Sequence, residues 1–234
     1  MQPIRRHRRS LSACLRARYS VLVWLLAITL GLSMSQLSAQ VVSADSNESP
    51  LYRGEQLLLG GSYAAAAEIF QMTDGLDRED GLIGASRAYA MMGNYQSAMS
   101  VVADAIEDEQ YADAPLLATQ LAEVLRMVGR SEEALAVLQV VHEDLIDAPV
   151  RSLVQYGSLL KFRGDKEAAY DILDIAVDRY NGGLVFASED VAMVALASWL
   201  LGNFHDANSL FNEATRADPN NLEAIALWGD LFLE

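Results

Sequence analysis

The side chains best suited to chemistry in this sequence are three histidines, one cysteine and a large excess of carboxylates. Residues 142–146, HEDLI, begin like the helical zinc-protease motif, but Ile146 stands where the second histidine ligand is needed. We therefore interpret His142 as a surface residue, and His205, which follows a turn, as exposed. Gly60-Gly61 lacks the lysine of a phosphate-binding loop, and no serine lies in a nucleophile-elbow pattern. The sequence predicts a protein that is not an enzyme, with no catalytic residue, no cofactor and no metal site.

The charge of the chain is strongly acidic and unevenly distributed. Seventeen basic residues face 32 acidic ones, giving a formal net charge of −15. Six of the bases are arginines within residues 1–18, where no acid occurs. The remainder repels phosphate backbones, so we expect no nucleic-acid partner. Cys14 is the only cysteine, so no disulfide can form within the chain.

The first 44 residues have the order of an export signal. Arginines come first, then an apolar run over 21–32, then small residues. We predict a signal peptide over 1–39, with cleavage after Ala39 or Ala44, and a linker over 40–46. The protein is then exported and periplasmic. The alternative is an uncleaved leader that anchors the chain in the inner membrane through residues 19–37, which would be its only membrane contact.

A repeated unit fills the rest of the sequence, and its turn glycine returns every 32 to 38 residues. A small residue precedes each glycine by seven positions, alanine follows it by five, and a larger apolar residue follows it by nine. Glycine ends a helix easily because it tolerates a left-handed backbone, and small residues let two helices approach closely. Ser62, Asn94, Asp165 and Asn203 follow four of these glycines as predicted N-caps. The glycines are Gly61, Gly93, Gly129, Gly164 and Gly202, and the alanines are Ala66, Ala98, Ala134, Ala169 and Ala207.

This pattern resembles the tetratricopeptide repeat, most fully in NFHDANSLFNEATRADPNN at 203–221. The resemblance covers about 47–234 and implies an all-α, right-handed superhelical solenoid of antiparallel helix hairpins. Five repeats are expected at about 47–78, 79–114, 115–149, 150–187 and 188–221, with an unpaired terminal helix at 222–234. Asp113 and Asp147, each two residues before a proline, are expected to cap first helices. Leu227, Trp228, Leu231 and Phe232 of the terminal helix are expected to expose apolar surface, and the chain to continue or to self-associate there.

The resemblance also implies where a ligand would bind, because first helices line the concave side in this family. One hypothesis is a non-catalytic scaffold or adaptor of the bacterial cell envelope that binds a peptide or protein segment in this groove. The alternative is a docking or regulatory module at the front of a longer exported enzyme whose catalytic domain lies beyond residue 234. The candidate binding residues are Arg87, Met91, Glu123, Arg126, Met127, Arg151, Ser158, Lys161, Phe162 and Trp199.

Two questions about this groove stay open in the sequence. Met91, Met127 and Phe162 either face the groove or form core between repeats. On the presumed inward face of the second to fourth units, Arg87, Arg126, Arg151 and Lys161 are set against only Asp80 and Glu123. This balance favours a ligand with acidic and apolar side chains, such as a protein C-terminus. The alternative is that these bases neutralise acids on adjacent helices as surface ion pairs.

Overall fold

Eleven α-helices follow one another in the part of the chain that the computed structural model describes, residues 49–111, 114–143, 145, 147–185 and 187–230. The predicted leader and linker lie outside these residues. No strand occurs among them, and none of their helices is long and apolar enough to cross a lipid bilayer. The helices are α1 (Pro50–Leu59), α2 (Tyr63–Gln71), α3 (Arg78–Met91), α4 (Tyr95–Ile106), α5 (Pro115–Met127), α6 (Ser131–Glu143), α7 (Val150–Arg163), α8 (Lys166–Asn181), α9 (Ser188–Leu200), α10 (Phe204–Ala217) and α11 (Leu222–Asp230).

The first ten helices form five hairpins, and a predicted glycine lies at the turn of each. All five glycines have positive φ, from 74° at Gly61 and Gly93 to 101° at Gly164. The two amides at each turn donate to carbonyls of the preceding helix: Gly164 N to Lys161 O, and Asp165 N to Leu160 O. This is the hydrogen-bond pattern with which a left-handed residue closes a helix. The prediction of these turns from the glycine spacing is confirmed.

The small residues of the repeat lie where the two helices of a hairpin touch. Each of the five predicted alanines is fully buried, with 0% of its surface exposed. The larger residue four positions later is also buried in every hairpin: Phe70, Val102, Leu138, Leu173 and Phe211. A helix contact with alanine on one side brings the two helix axes close together. The repeated alanine and the larger apolar residue four positions later therefore fix the geometry of each hairpin.

Phe70 shows why the position seven residues before the turn must be small. A Cβ added at Gly54 on α1, seven residues before Gly61, would lie 2.6 Å from two ring atoms of Phe70. The next hairpin approaches the same ring, because a Cβ added at Gly84 on α3 would lie equally close to the same atoms. Gly157 is in the same position relative to Leu173, at 2.7 Å from its Cγ atom. A side chain at these positions would displace a fully buried neighbour.

The helix caps follow the prediction only in part. Each of the four predicted residues is the N-cap, but only the Asn94 side chain accepts a backbone hydrogen bond, from Ser97 N at 3.3 Å. Asp165 instead forms an ion pair with Arg163. Asp147 does not cap α7, because that helix begins at Val150 and Pro149 takes the N-cap position. The expectation for Asp113 is wrong as well, because Ala114 takes the N-cap position of α5; Asp113 itself lies outside the described residues.

The last described helix, α11, packs against α9 and α10. Trp228 stacks on Phe211 with ring centroids 6.5 Å apart, and its Nε1 atom donates to Asn208 Oδ1 at 2.9 Å. The expectation that Leu227 and Trp228 are exposed is therefore wrong: both are half-buried. Their apolar surface is covered by the preceding hairpin, and the exposed apolar residues of α11 are Leu222 and Ile225. Leu231 and Phe232 lie outside the described residues.

The first helices of consecutive hairpins form a continuous row. α1, α3, α5, α7, α9 and α11 each pack against the next member of the row, whereas consecutive second helices have no comparable contact among the described residues. A stack of hairpins curves toward the side on which its helices lie closest together. The row of first helices is therefore the inner wall of the solenoid.

Candidate functional site

A cleft of about 300 Å³ opens on the inner wall between the first helices α1, α3, α5 and α7. Its apolar floor includes Leu51, Leu58, Ile83 and Leu116. Around this floor lie three carboxylates and two guanidinium groups, those of Glu55, Asp80, Glu123, Arg87 and Arg151. Of the predicted binding residues, the structure thus brings Arg87, Glu123 and Arg151 together in one cleft.

The guanidinium of Arg151 is already held by a carboxylate from the far end of the row. Its Nη1 and Nη2 atoms donate to Glu223 Oε1 at 2.7 Å and Oε2 at 2.5 Å. The two residues are 72 positions apart, on α7 and α11, and α9 lies between these helices in the row. Only 13% of the Arg151 side chain is exposed, against 38% for Glu223. This two-point contact leaves Arg151 little capacity for a ligand carboxylate.

The pKa values of this pair have opposing causes. Burial tends to raise the pKa of Glu223, but its hydrogen bonds with Arg151, helped by the charges of Arg151 and Arg87, lower it overall. Burial likewise tends to lower the pKa of Arg151, but Glu223, Glu123 and Asp190 raise it overall. Both groups are therefore held in their charged forms.

Arg87 is positioned by neutral side chains instead. Its Nε atom donates to Gln120 Oε1 at 3.3 Å, and Gln120 Nε2 donates to Ser86 Oγ at 3.3 Å. Thr119 Oγ1 donates to Ser152 Oγ at 2.7 Å on the next first helix. These buried contacts connect α3, α5 and α7, so they fix the spacing of the helices that form the cleft.

Several carboxylates of the wall have no such partner. Among the described residues, Glu55, Asp80, Glu123 and Glu189 take part in no ion pair or side-chain hydrogen bond. Burial raises the pKa of Glu55, and the charges of Asp80 and Glu189 raise it further against the opposing effect of Arg87. Burial also raises the pKa of Asp190. Charges on the first and fifth hairpins thus act on each other across the inner side of the solenoid.

A large apolar residue stands two positions before each turn glycine, and four of the five such residues are exposed. We call Leu59, Met91, Met127, Phe162 and Leu200 the apolar ladder. The exposed fractions are 50% for Leu59, 57% for Met91, 48% for Met127 and 81% for Phe162, and Leu200 is half-buried. These exposures contradict a core position between repeats for Met91, Met127 and Phe162, because core residues would be covered, and their place on the groove stays a prediction.

The remaining predicted residues contribute less to this wall. Ser158 Oγ donates to the Val154 carbonyl of its own helix at 2.7 Å, and Trp199 is half-buried. Lys161 donates to the Leu200 carbonyl at the end of α9 and lies over the ring of Tyr170, 5.8 Å from its centre. Arg126 is exposed in the last turn of α5.

The charge balance that the sequence argument drew for the second to fourth units does not extend to the whole row of first helices. Beside Asp80 and Glu123, the wall carries the carboxylates of Glu55, Glu189, Asp190 and Glu223, which the sequence argument did not count. Arg151 is neutralised by a carboxylate, but by that of Glu223, two first helices along the row, and not by an acid of an adjacent helix. A signal for the missed residues was present, because Asp80, Arg151 and Glu189 each lie thirteen residues before a turn glycine. Gly229 takes the place of the small residue that stands seven positions before a turn glycine. Glu223, six residues before Gly229, is therefore at the same position of its helix as Asp80, Arg151 and Glu189.

The histidines add no metal chemistry to the described part of the chain. His205 is exposed, as predicted, and the side chain of His142 lies outside those that the structure describes. No group of three His, Cys, Asp or Glu residues within the described ranges is placed to hold a metal ion.

Comparisons with known proteins agree with this architecture. A thermophilic TPR protein of Thermus thermophilus matches with a TM-score of 0.53 and 19% identity, over 79% of this chain and 98% of its own. TPR-like repeats of a Podosopora anserina kinesin light chain match with a TM-score of 0.46 and 17% identity, over 72% of this chain and 92% of theirs. No protein-family model and no curated protein matches the sequence. The fold is an all-α, TPR-like repeat solenoid, so the predicted fold class is confirmed.

Proposed function

We propose that this protein is a non-catalytic interaction scaffold of the bacterial cell envelope that binds a segment of a partner protein along its inner wall. The observation that carries the proposal is the apolar ladder. Its members repeat at one position of each first helix, and most of them are half-exposed or more. Soluble proteins rarely leave a row of large apolar side chains uncovered unless a partner covers it.

The ladder and the cleft form one surface because of helix periodicity. Glu55, Arg87 and Glu123 each stand four residues before a ladder residue on the same helix. Side chains four residues apart point to the same face, with Cβ atoms about 5–6 Å from each other. Consecutive first helices pack side by side, about 8–10 Å apart. A peptide lying across the row would therefore meet polar groups and apolar groups at regular intervals.

The envelope location rests on the sequence of the leader. Its basic, apolar and small segments are in the order of an export signal. Fractionation of an expressing bacterium tests this part of the proposal. Recovery of the protein in the cytoplasm, with Met1 retained, would contradict export.

Binding can be tested with a random peptide library displayed on phage. The library is panned against the 234-residue chain, purified from a secreting host in the form that the host's processing leaves. Selected peptides are synthesised, and their affinities are measured by fluorescence anisotropy. We expect the double variant Met127→Ser/Phe162→Ser to weaken their binding at least tenfold, because it removes two large apolar side chains from the ladder without adding charge.

The control is Leu184→Ser, in the loop between α8 and α9. Leu184 is 74% exposed, close to the 81% of Phe162, but it lies outside the first helices. Its replacement should change affinity less than twofold. If no peptide is enriched, or if enriched peptides bind the ladder variant as well as the original chain, the inner wall is not the binding surface.

A further inference from the structure

The inner wall combines a surplus of negative charge with exposed apolar surface. Glu55, Asp80, Glu123 and Glu189 have no ion-pair partner among the described residues, while Arg151 is held at two points by Glu223. Arg87 is the guanidinium of the cleft that no carboxylate holds within the described residues. A ligand that enters this cleft therefore meets more carboxylate than guanidinium.

We propose that the segment recognised by this wall is basic and apolar: a stretch of a partner protein in which lysine or arginine side chains alternate with large apolar ones. This inference rests on the proposed function and specifies its ligand. Basic side chains of the segment lie against the carboxylates of the cleft, and its apolar side chains cover the ladder. It is the opposite of the acidic ligand that is one of the two interpretations left open by the sequence.

The spacing of the carboxylates supports a chain of basic side chains as the ligand. Glu55, Asp80, Glu123 and Glu189 come from α1, α3, α5 and α9, and the described residues offer no group of three that could hold a metal ion. A basic peptide carries its charges on long stems at intervals, so it can reach carboxylates on several helices. The stems of lysine and arginine also cover apolar surface, such as that of Leu58 and Ile83 on the cleft floor.

The apolar ladder provides an independent reason for a peptide of mixed character. A purely ionic ligand would leave Met91, Met127 and Phe162 exposed, whereas an apolar segment without charge would leave carboxylates of the cleft unpaired. Methionine suits such a surface, because its flexible thioether adapts to apolar side chains of different shapes.

Three synthetic peptides of twelve residues test the inference. All three carry leucine or phenylalanine at every second position, and the positions between them are lysine in one peptide, glutamine in the second and glutamate in the third. Binding to the 234-residue chain is measured by fluorescence anisotropy at low and high salt. We expect the lysine peptide to bind at least tenfold more tightly than the glutamine peptide, and the glutamate peptide to bind most weakly. Added salt should reduce these differences, because it screens the charges.

The double variant Glu55→Gln/Glu123→Gln locates the effect. It should weaken the lysine peptide at least fivefold and leave the glutamine peptide within twofold. The matched control is Glu68→Gln/Glu132→Gln, which removes two exposed carboxylates from second helices and changes the net charge equally. This control should leave both affinities within twofold. Circular dichroism checks that each variant is folded.

The outcomes separate this inference from the proposed function. If the glutamine or glutamate peptide binds as well as the lysine peptide, and Met127→Ser/Phe162→Ser abolishes binding, the wall is a binding site without a preference for basic segments. If the two charge variants weaken the lysine peptide equally, the preference comes from the overall charge of the protein and the inference is overturned. If none of the three peptides binds, the proposed function and this inference both fail.

Discussion

Gly84 provides a direct test of how closely the helices of this solenoid approach. Alanine normally stabilises a helix interior relative to glycine by about 1 kcal/mol. At Gly84, however, the added Cβ would lie 2.6 Å from the Cδ1 and Cε1 atoms of Phe70. The Phe70 side chain is only 1% exposed. Its Cδ1 and Cε1 atoms also lie 2.6 Å from the Cβ position of Gly54 on α1.

The contact with Phe70 outweighs the helix propensity. Forcing an extra carbon into a closely packed core costs about 1–3 kcal/mol. We expect Gly84→Ala to lower the free energy of unfolding by about 1–2 kcal/mol after the gain in propensity is included. For a chain of this size, that corresponds to a melting temperature lower by about 2–8 °C. Urea unfolding followed by circular dichroism measures the change.

The control is Gly229→Ala on α11, where no atom lies within 4 Å of the added Cβ. This variant should be neutral or more stable by up to about 1 kcal/mol. Combining Gly84→Ala with Phe70→Leu should remove most of the cost of the alanine, as expected for two residues in direct contact. If Gly84→Ala stabilises the protein as much as Gly229→Ala does, the close approach of α1, α2 and α3 at Phe70 is wrong.

Three further predictions concern the core, the ion pair and the leader. Ala134→Leu should destabilise the protein by about 1–3 kcal/mol because Ala134 is fully buried, whereas exposed Glu132→Ala should change stability by about 0.5 kcal/mol or less; similar effects in urea unfolding would contradict the repeat register. Arg151→Met should cost on the order of 1 kcal/mol near neutral pH, allowing for solvent screening of Glu223. Since Arg151 helps to hold the pKa of Glu223 below its ordinary value, their contribution is present above the unfolded-state pKa of about 4.3 and is lost as pH falls through the folded one. Urea unfolding at several pH values should show this cost shrinking in acid, and a cost that does not depend on pH would mean that packing alone accounts for it. Intact mass of the exported protein should show loss of about 39–44 residues, and a retained Met1 on membrane-bound material would favour the anchor.

The predictions that depend on neighbouring positions in the chain agree with the structure. Many helices end in a residue with positive φ, and glycine adopts that conformation most easily. Gly61, Gly129 and Gly202 could therefore be placed at the turns from the sequence. Alanine at a fixed distance from the turn must face the other helix of its hairpin, which is why Ala98 and Ala169 are buried. Capping was predicted less well, because a side chain such as that of Asp165 can accept a hydrogen bond from a backbone amide or form an ion pair with a nearby arginine.

The sequence alone determined the helices, the five turns and the buried contact within each hairpin, because all of these act over a few residues or one repeat. Only the tertiary structure decided which charges meet on the inner wall. Arg151 and Glu223 are 72 residues apart in the chain. The charge of Glu189 on the fifth hairpin raises the pKa of Glu55 on the first. These contacts depend on the curvature of the whole solenoid, which is the sum of the small rotations between successive hairpins. Each rotation is set by the packing of many side chains, so spacing within a repeat can place a residue on the wall but cannot predict which residues of distant repeats pair there.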